Sequence, residues 1–143
     1  MILISHRGNI DGKLSEYENN PNYILAAIDL GYDVEIDVWF IDGKFMLGHD
    51  EPTHEVDYKF LMNEKLWCHA KNLDALIEMK KYAIHYFWHE EDTVALTSKN
   101  YIWAYPGKQP IVGSIAVKPE LYNENVDKCK GVCSDFVKRY KND

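Results

Sequence analysis

The sequence predicts an α/β fold: a compact (β/α) barrel of the TIM type with shortened or missing helices, formed by a single domain over residues 1–143. Two observations predict it. Short apolar segments of strand length alternate with helix-like segments, as in parallel strands joined by crossovers. Polar residues that can carry chemistry recur where these segments end, at His6, Glu35 and Asp37, His49, His69 and Lys71, and His89 and Glu90. In parallel folds such ends share one mouth, and a closed barrel gathers them better than an open sheet does. Barrels of this type run to about 250 residues, so a chain of 143 has to shorten or omit its helices.

Each element has a local reason. Ile2-Leu3-Ile4 reads as a short buried strand, and the polar, turn-rich stretch from Gly8 to Glu16 as a loop. Asn20-Pro21 opens a helix through Leu30, with Asn20 as cap and Pro21 at the first helical position, and Gly31 closes it. Asp33 to Trp39 alternates as a strand, with Asp33, Glu35 and Asp37 on one face and Val34, Ile36 and Val38 on the other. Asp42-Gly43 is a hairpin turn between Val38–Ile41 and Lys44–Leu47, which returns His49 to the acidic strand. Beyond Pro52 the pattern continues as strand Leu66–His69, helix Leu73–Tyr82 and strand Ile84–Trp88. Further apolar segments follow at Tyr101–Ala104, Ile111–Val117 and Gly131–Cys133, with a terminal helix over Asp135–Tyr140.

Composition bounds the function. Hydrophobic residues make up 46% and charged residues 27%, values of a folded chain with a real core. The net charge of −7 argues against a nucleic-acid surface. No apolar run is long enough to span a membrane, and Met1 to Ile4 is too short for the apolar part of a secretion signal. Three cysteines, an odd number, suit a reducing compartment, so a cytoplasmic location is expected. Shortened helices would leave barrel surface that a homodimer could cover.

The acidic strand carries the chemistry. Carboxylates brought together out of water repel one another and need protons or a cation, which points to a hard divalent metal on Glu35 and Asp37. The alternative is a buried ionic network with Arg7 and Lys71. His6 and His49 beside such a metal suggest an acid and a base. Trp103-Ala104-Tyr105-Pro106-Gly107 follows a short strand and ends in a turn, so Trp103 and Tyr105 could form a wall against a substrate group.

The ordered set His6-Arg7-Gly8, Glu18-Asn19, Gly31, Glu35-x-Asp37-Val38, Asp42-Gly43 and His49-Asp50 resembles the glycerophosphodiester phosphodiesterase family, within the group that includes phosphatidylinositol-specific phospholipase C. The resemblance implies a barrel hydrolase of phosphodiesters that uses one divalent cation, magnesium or calcium, with manganese or zinc as alternatives. It further implies that His6 and His49 are acid and base, that Glu35 and Asp37 bind the metal, and that Arg7 holds phosphate. Lys71 matches a lysine that this family has two residues after a further metal-binding glutamate, but here that earlier position is His69. Either His69 or Glu90 is then the remaining ligand, and a nitrogen ligand favours transition metals. Glu18 and Asn19 organise the loop or support the metal, and Asp50 is a candidate to orient His49. Gly131-Val132-Cys133-Ser134-Asp135 looks like the final strand with its acidic end. A phosphodiester hydrolase acting on a small glycerophosphodiester-like substrate is expected. A phosphoester-binding protein without turnover and a lyase forming cyclic phosphate are the alternatives.

Overall fold

The computed structural model describes residues 1–141, which form ten strands and three short helices. The strands are β1 (Ile2–His6), β2 (Asp33–Ile41), β3 (Lys44–Leu47), β4 (His54–Val56), β5 (Leu66–Ala70), β6 (Tyr86–Trp88), β7 (Val94–Leu96), β8 (Ile102–Ala104), β9 (Ile115–Val117) and β10 (Gly131–Ser134). The helices are α1 (Pro21–Asp29), α2 (Tyr58–Leu61) and α3 (Leu73–Met79).

The expected TIM-type barrel does not form. The sheet is mixed and curls into a half-barrel. Its spine is parallel, in the order β6-β5-β2-β1-β10-β9-β8, whereas β3 is antiparallel to β2 and β4, and β7 is antiparallel to β8. Chain length gives the physical reason. A parallel crossover with a helix needs a dozen or more residues, and this chain spends its residues on hairpins and loops instead. α1 joins β1 to β2 and α3 joins β5 to β6, while the crossovers from β8 to β10 contain no α-helix. The terminal helix expected over Asp135–Tyr140 is a single 3-10 turn at Val137–Tyr140.

Local chemistry explains what does form. Asn20 caps α1 by accepting from the backbone N–H of Asn22, Pro21 occupies the first turn, and Gly31 follows at φ +97°. Asp42 and Gly43 both have positive φ, 53° and 74°, which turns β2 tightly into β3.

Alternation along β2 divides the core in two. On the convex side Val34, Ile36 and Val38 pack under Ile24 and Ala27 of α1 and Ala75 and Met79 of α3. On the concave side Ile4, Trp67, Phe87, Trp103, Ile115 and Cys133 fill the half-barrel with large rings and branched chains. The sheet ends approach each other, because Ser98, just past β7, donates its backbone N–H to the carbonyl of Tyr86 in β6 at 2.8 Å. Among the described residues, no helix is long and apolar enough to cross a membrane.

Candidate functional site

The register of three parallel strands assembles the acidic site. His6 at the end of β1 lies opposite Glu35 in β2, and Asp37 lies opposite His69 in β5. Glu35 and Asp37 share a face by the two-residue period of the strand, so both carboxylates enter the concave side, 3% and 0% exposed. Asp33, earlier on the same face, leaves this group and accepts from the indole N–H of Trp67 at 2.9 Å. Asn19, in the left-handed region at φ 64°, clamps Asp37: its amide donates to Oδ2 and its carbonyl accepts the Asp37 backbone N–H, both at 2.9 Å.

The two carboxyls have opposite electrostatics. Burial, and then the adjacent Asp37 carboxylate, push Glu35 well above the usual carboxylate range. Burial also opposes ionisation of Asp37, but hydrogen bonds with His49 and His69 and the Arg7 charge hold it well below that range. Glu35 Oε1 is buried without a hydrogen-bond partner. Glu35, Asp37 and His69 each offer one ligand atom, all within 4.8 Å of one another.

His69 explains this arrangement further. Its Nδ1 lies 3.2 Å from Asp37 Oδ1 and its Nε2 lies 3.0 Å from the carbonyl oxygen of His89, so both ring nitrogens face acceptors. A neutral imidazole has one N–H and satisfies only one of them. The contacts balance if His69 is the imidazolium, or if a cation sits between Nδ1 and the carboxylates while Nε2–H donates to His89. The second arrangement is how a ligating histidine is normally oriented.

Around this trio stand two histidines with separate supports. His6 Nδ1 lies 2.7 Å from Asp135 Oδ1, at the end of β10, and His6 Nε2 lies 3.8 Å from Glu35 Oε1. With Asp135 ionised, the proton is on Nδ1 and Nε2 presents a lone pair to the concave side. Burial holds the His6 imidazole below its ordinary value, against the hydrogen bond that it donates to Asp135. Burial works against ionisation of Asp135 too, yet its contacts with His6 and Asn9 bring it down to about 2. Asn9, fully buried, donates to both Asp135 (2.9 Å) and Glu18 (2.7 Å).

His49 sits on the exposed side. Its Nδ1 is 2.7 Å from Arg7 Nη2 and 3.5 Å from Asp37 Oδ2, so the ring stands between a donor and an acceptor. Arg7, at φ 61°, also meets Glu18 (3.2 Å) and Asp37 (3.1 Å).

Two cavities meet at Arg7 and His49. A cavity of about 340 Å³ is polar and runs past Lys13, Glu16 and Thr53. A second, of about 180 Å³, passes His6 and Glu35 and is walled by Trp103, Tyr105 and Val117.

Most residues singled out in the sequence thus converge: His6, Arg7, Glu18, Asn19, Asp37, His49 and His69 lie in one cluster of hydrogen bonds and ion pairs, Glu35 sits 3.8 Å from His6 and 3.9 Å from His69, and Trp103 and Tyr105 border the group. Others do not. Glu90 is exposed, outside the ligand group. Lys71 forms no ion pair among the described residues and lines neither cavity, although its charge acts on Glu35. The Asp50 side chain is 96% exposed and 3.6 Å from His49 Nε2, a weak hold. Sequence reasoning missed three contributors. Asp135 was visible only as the acidic end of the last strand, Asn9 only as part of a polar loop, and Lys118, at the end of β9, carried no motif. Neither family models nor curated proteins nor solved structures match this chain.

Proposed function

We propose that this protein is a metal-dependent phosphodiesterase of the glycerophosphodiester type, in which His6 and His49 move protons and Glu35, Asp37 and His69 hold one divalent cation. The observation that carries the reading is the Asp135–His6 pair, with its free Nε2 turned toward a buried carboxylate group at the junction of two cavities. A phosphodiester has two arms, and Arg7 and His49 border both cavities, so a phosphate held between them would send one arm into each. The orphaned oxygen of Glu35 and the two-acceptor environment of His69 fit a bound cation, with one nitrogen and two carboxylates as ligands.

The residues divide the work. Bound there, a divalent cation supplies charge neutralisation for the phosphate oxygens and lowers the pKa of a coordinated water. Arg7, already oriented by Glu18 and Asp37, adds a planar fork of donors for the same oxygens. His6 Nε2 accepts the proton of the attacking hydroxyl, while Asp135 steadies the imidazolium that results. His49, entering this step as the imidazolium, gives its Nε2 proton to the departing alkoxide as the phosphorus–oxygen bond to that arm breaks, and is left as the neutral imidazole. The products are an alcohol and a phosphomonoester when water attacks.

The test is hydrolysis of a phosphodiester panel by wild type and His49→Ala across magnesium, calcium, manganese and zinc, with phosphorus NMR of the products. Metal-dependent turnover that drops at least a hundredfold in the variant supports the reading. A cyclic product would redefine it as a lyase. Binding without turnover in wild type would make the protein a phosphoester binder.

A further inference from the structure

A phosphate held beside His6 needs its oxygens neutralised, and the cations around it are mostly committed elsewhere. Each nitrogen of Arg7 already has a partner inside the protein: Nε faces Asp37 at 3.1 Å, Nη1 donates to Glu18 at 3.2 Å and Nη2 meets His49 at 2.7 Å. Lys71 lies one residue beyond β5, on the flank of the sheet that carries Glu35, Asp37 and His69, and it lines neither cavity. The cation that borders the smaller cavity without an ion-pair partner among the described residues is Lys118, one residue beyond β9.

Its backbone is unusual. At φ 46° and ψ 53° Lys118 is left-handed, a region that glycine and asparagine enter far more readily than lysine. Pro119 follows, which restricts the preceding residue further. The surroundings hold the conformation: the Lys118 N–H donates to the carbonyl of Cys133 at 2.7 Å, and its own carbonyl accepts the Leu121 N–H at 3.1 Å. Those bonds belong to the backbone, so they explain the turn and not the lysine. What lysine adds is an ammonium, half-buried beside Trp103, Tyr105 and Val117, where apolar walls strengthen a charge. Arg7, at φ 61°, is a second cation in left-handed backbone at a strand end bordering the same cavity. Strain of this kind, fixed by neighbours, collects at functional sites.

Sheet order decides where this charge acts. His6 ends β1; the carboxylates and His69 lie to one side, on β2 and β5, and Lys118 lies to the other, at the end of β9, with β10 between. Lys118 is near enough for its charge to act on Asp135, the partner of His6 at the end of β10. We propose that Lys118 is a further catalytic residue: its ammonium binds a non-bridging oxygen of the phosphate held over His6, on the side away from Glu35, Asp37 and His69, and balances the charge that gathers there as the hydroxyl attacks. The inference rests on the phosphodiesterase reading for its reaction, and it goes beyond that reading by giving the second phosphate-holding cation to β9 instead of to Lys71. Lys118 stays an ammonium throughout, so the bonds and protons move as already described.

The experiment has two readouts. Asparagine suits left-handed backbone better than lysine does, so Lys118→Asn removes the charge without straining the turn. In the first readout, steady-state kinetics on bis(p-nitrophenyl) phosphate, Lys118→Asn should lose about a hundredfold in kcat with KM moved much less, while its urea midpoint stays at or above that of wild type. Lys118→Arg should recover most of the loss, and Lys71→Met should lose about tenfold less than Lys118→Asn. A loss below about threefold in Lys118→Asn, or one no larger than in Lys71→Met, overturns the proposal and leaves the phosphodiesterase reading standing. A loss that comes with a lowered urea midpoint and is not recovered in Lys118→Arg overturns it as well. In the second, inorganic phosphate is titrated into wild type and the variants by calorimetry, which needs no turnover. Lys118→Asn should bind it about tenfold more weakly, and Lys71→Met within about twofold of wild type. If wild type hydrolyses no diester, the catalytic reading fails and this titration decides the phosphate contact: equal affinities in wild type and Lys118→Asn, or no binding by wild type, overturn it.

Discussion

At the scale of single residues, the site depends on side chains held from two directions. His6 is typical: β1 delivers the ring to Glu35, while Asp135 from the far end of the chain fixes which nitrogen faces the cavity. Asp135→Asn keeps the shape but offers an amide that can donate to Nδ1, so the proton moves to Nε2 and the base is lost. The variant should lower kcat on bis(p-nitrophenyl) phosphate by about 10²- to 10⁴-fold. Because the two residues act as one unit, Asp135→Asn combined with His6→Ala should be little worse than His6→Ala alone. Steady-state kinetics of the three variants checks this, and multiplicative losses would show that Asp135 acts independently of His6.

Elements position these residues, and their joints are where the arrangement can be broken. The β2–β3 hairpin carries His49 back to the acidic strand through Gly48, whose backbone carbonyl accepts the Trp39 indole N–H at 2.6 Å and where an added Cβ would collide with the carbonyl of Glu51. Gly48→Ala should therefore displace the loop, costing about 1–3 kcal/mol in urea unfolding and lowering kcat more than the stability loss accounts for. A second joint closes the half-barrel: His85, before β6, pairs its Nε2 with the hydroxyl of Thr97, after β7, at 2.8 Å. Burial, with the Lys99 charge, holds His85 at about 4 rather than 6.5. Its folded-state value lies below the unfolded one, so the ring folds neutral; its contribution is complete above about pH 6.5 and is lost as pH falls toward 4. The full shift corresponds to about 3 kcal/mol, and solvent screening reduces that to about 1–2 kcal/mol. Wild type should lose that much more stability between pH 7 and 4.5 than His85→Gln does, measured by urea midpoints. Local chemistry made several of these elements legible: the Asn20 cap, the Asp42-Gly43 turn and the β2 alternation all behave as their residues demand. What local pattern could not convey was how strands beyond Pro52 pair, since β4 and β7 have three residues each and their partners are set by packing across the sheet. The β-α alternation therefore read as a closed barrel, whereas the chain turns back through hairpins.

For the molecule as a whole, the governing problem is charge. Glu18, Glu35 and Asp37 converge on Arg7, the one guanidinium in the cluster, and Asp135 joins them through His6 and Asn9, within a chain of net charge −7. The carboxylate excess was legible in β2 alone, because strand period fixes which acids share a face; the Asp135 contribution was not, because it arrives from a strand about a hundred residues away that sits beside β1 in the sheet. Two solutions satisfy the excess. In one, the protein neutralises itself with its own protons, carried by the Glu35 carboxyl that burial and Asp37 push up or by the His69 ring; in the other, a divalent cation binds Glu35, Asp37 and His69. Stability separates them, because a ligand that binds the folded chain alone stabilises it by mass action. At a metal concentration a hundredfold above Kd the gain is about 2.7 kcal/mol, or roughly 6–10 °C in Tm for a chain of this size. Wild type should show that rise with one of manganese, zinc, magnesium or calcium. Glu35→Gln should start at an equal or higher Tm without metal, having lost a buried repulsion with Asp37, and should gain little when metal is added. His69→Gln should still respond but shift its preference toward calcium or magnesium, since an amide oxygen replaces the imidazole nitrogen. A wild-type Tm that ignores every divalent ion, with Glu35→Gln no less responsive than wild type, would assign the balance to the protein's own protons at Glu35 and His69.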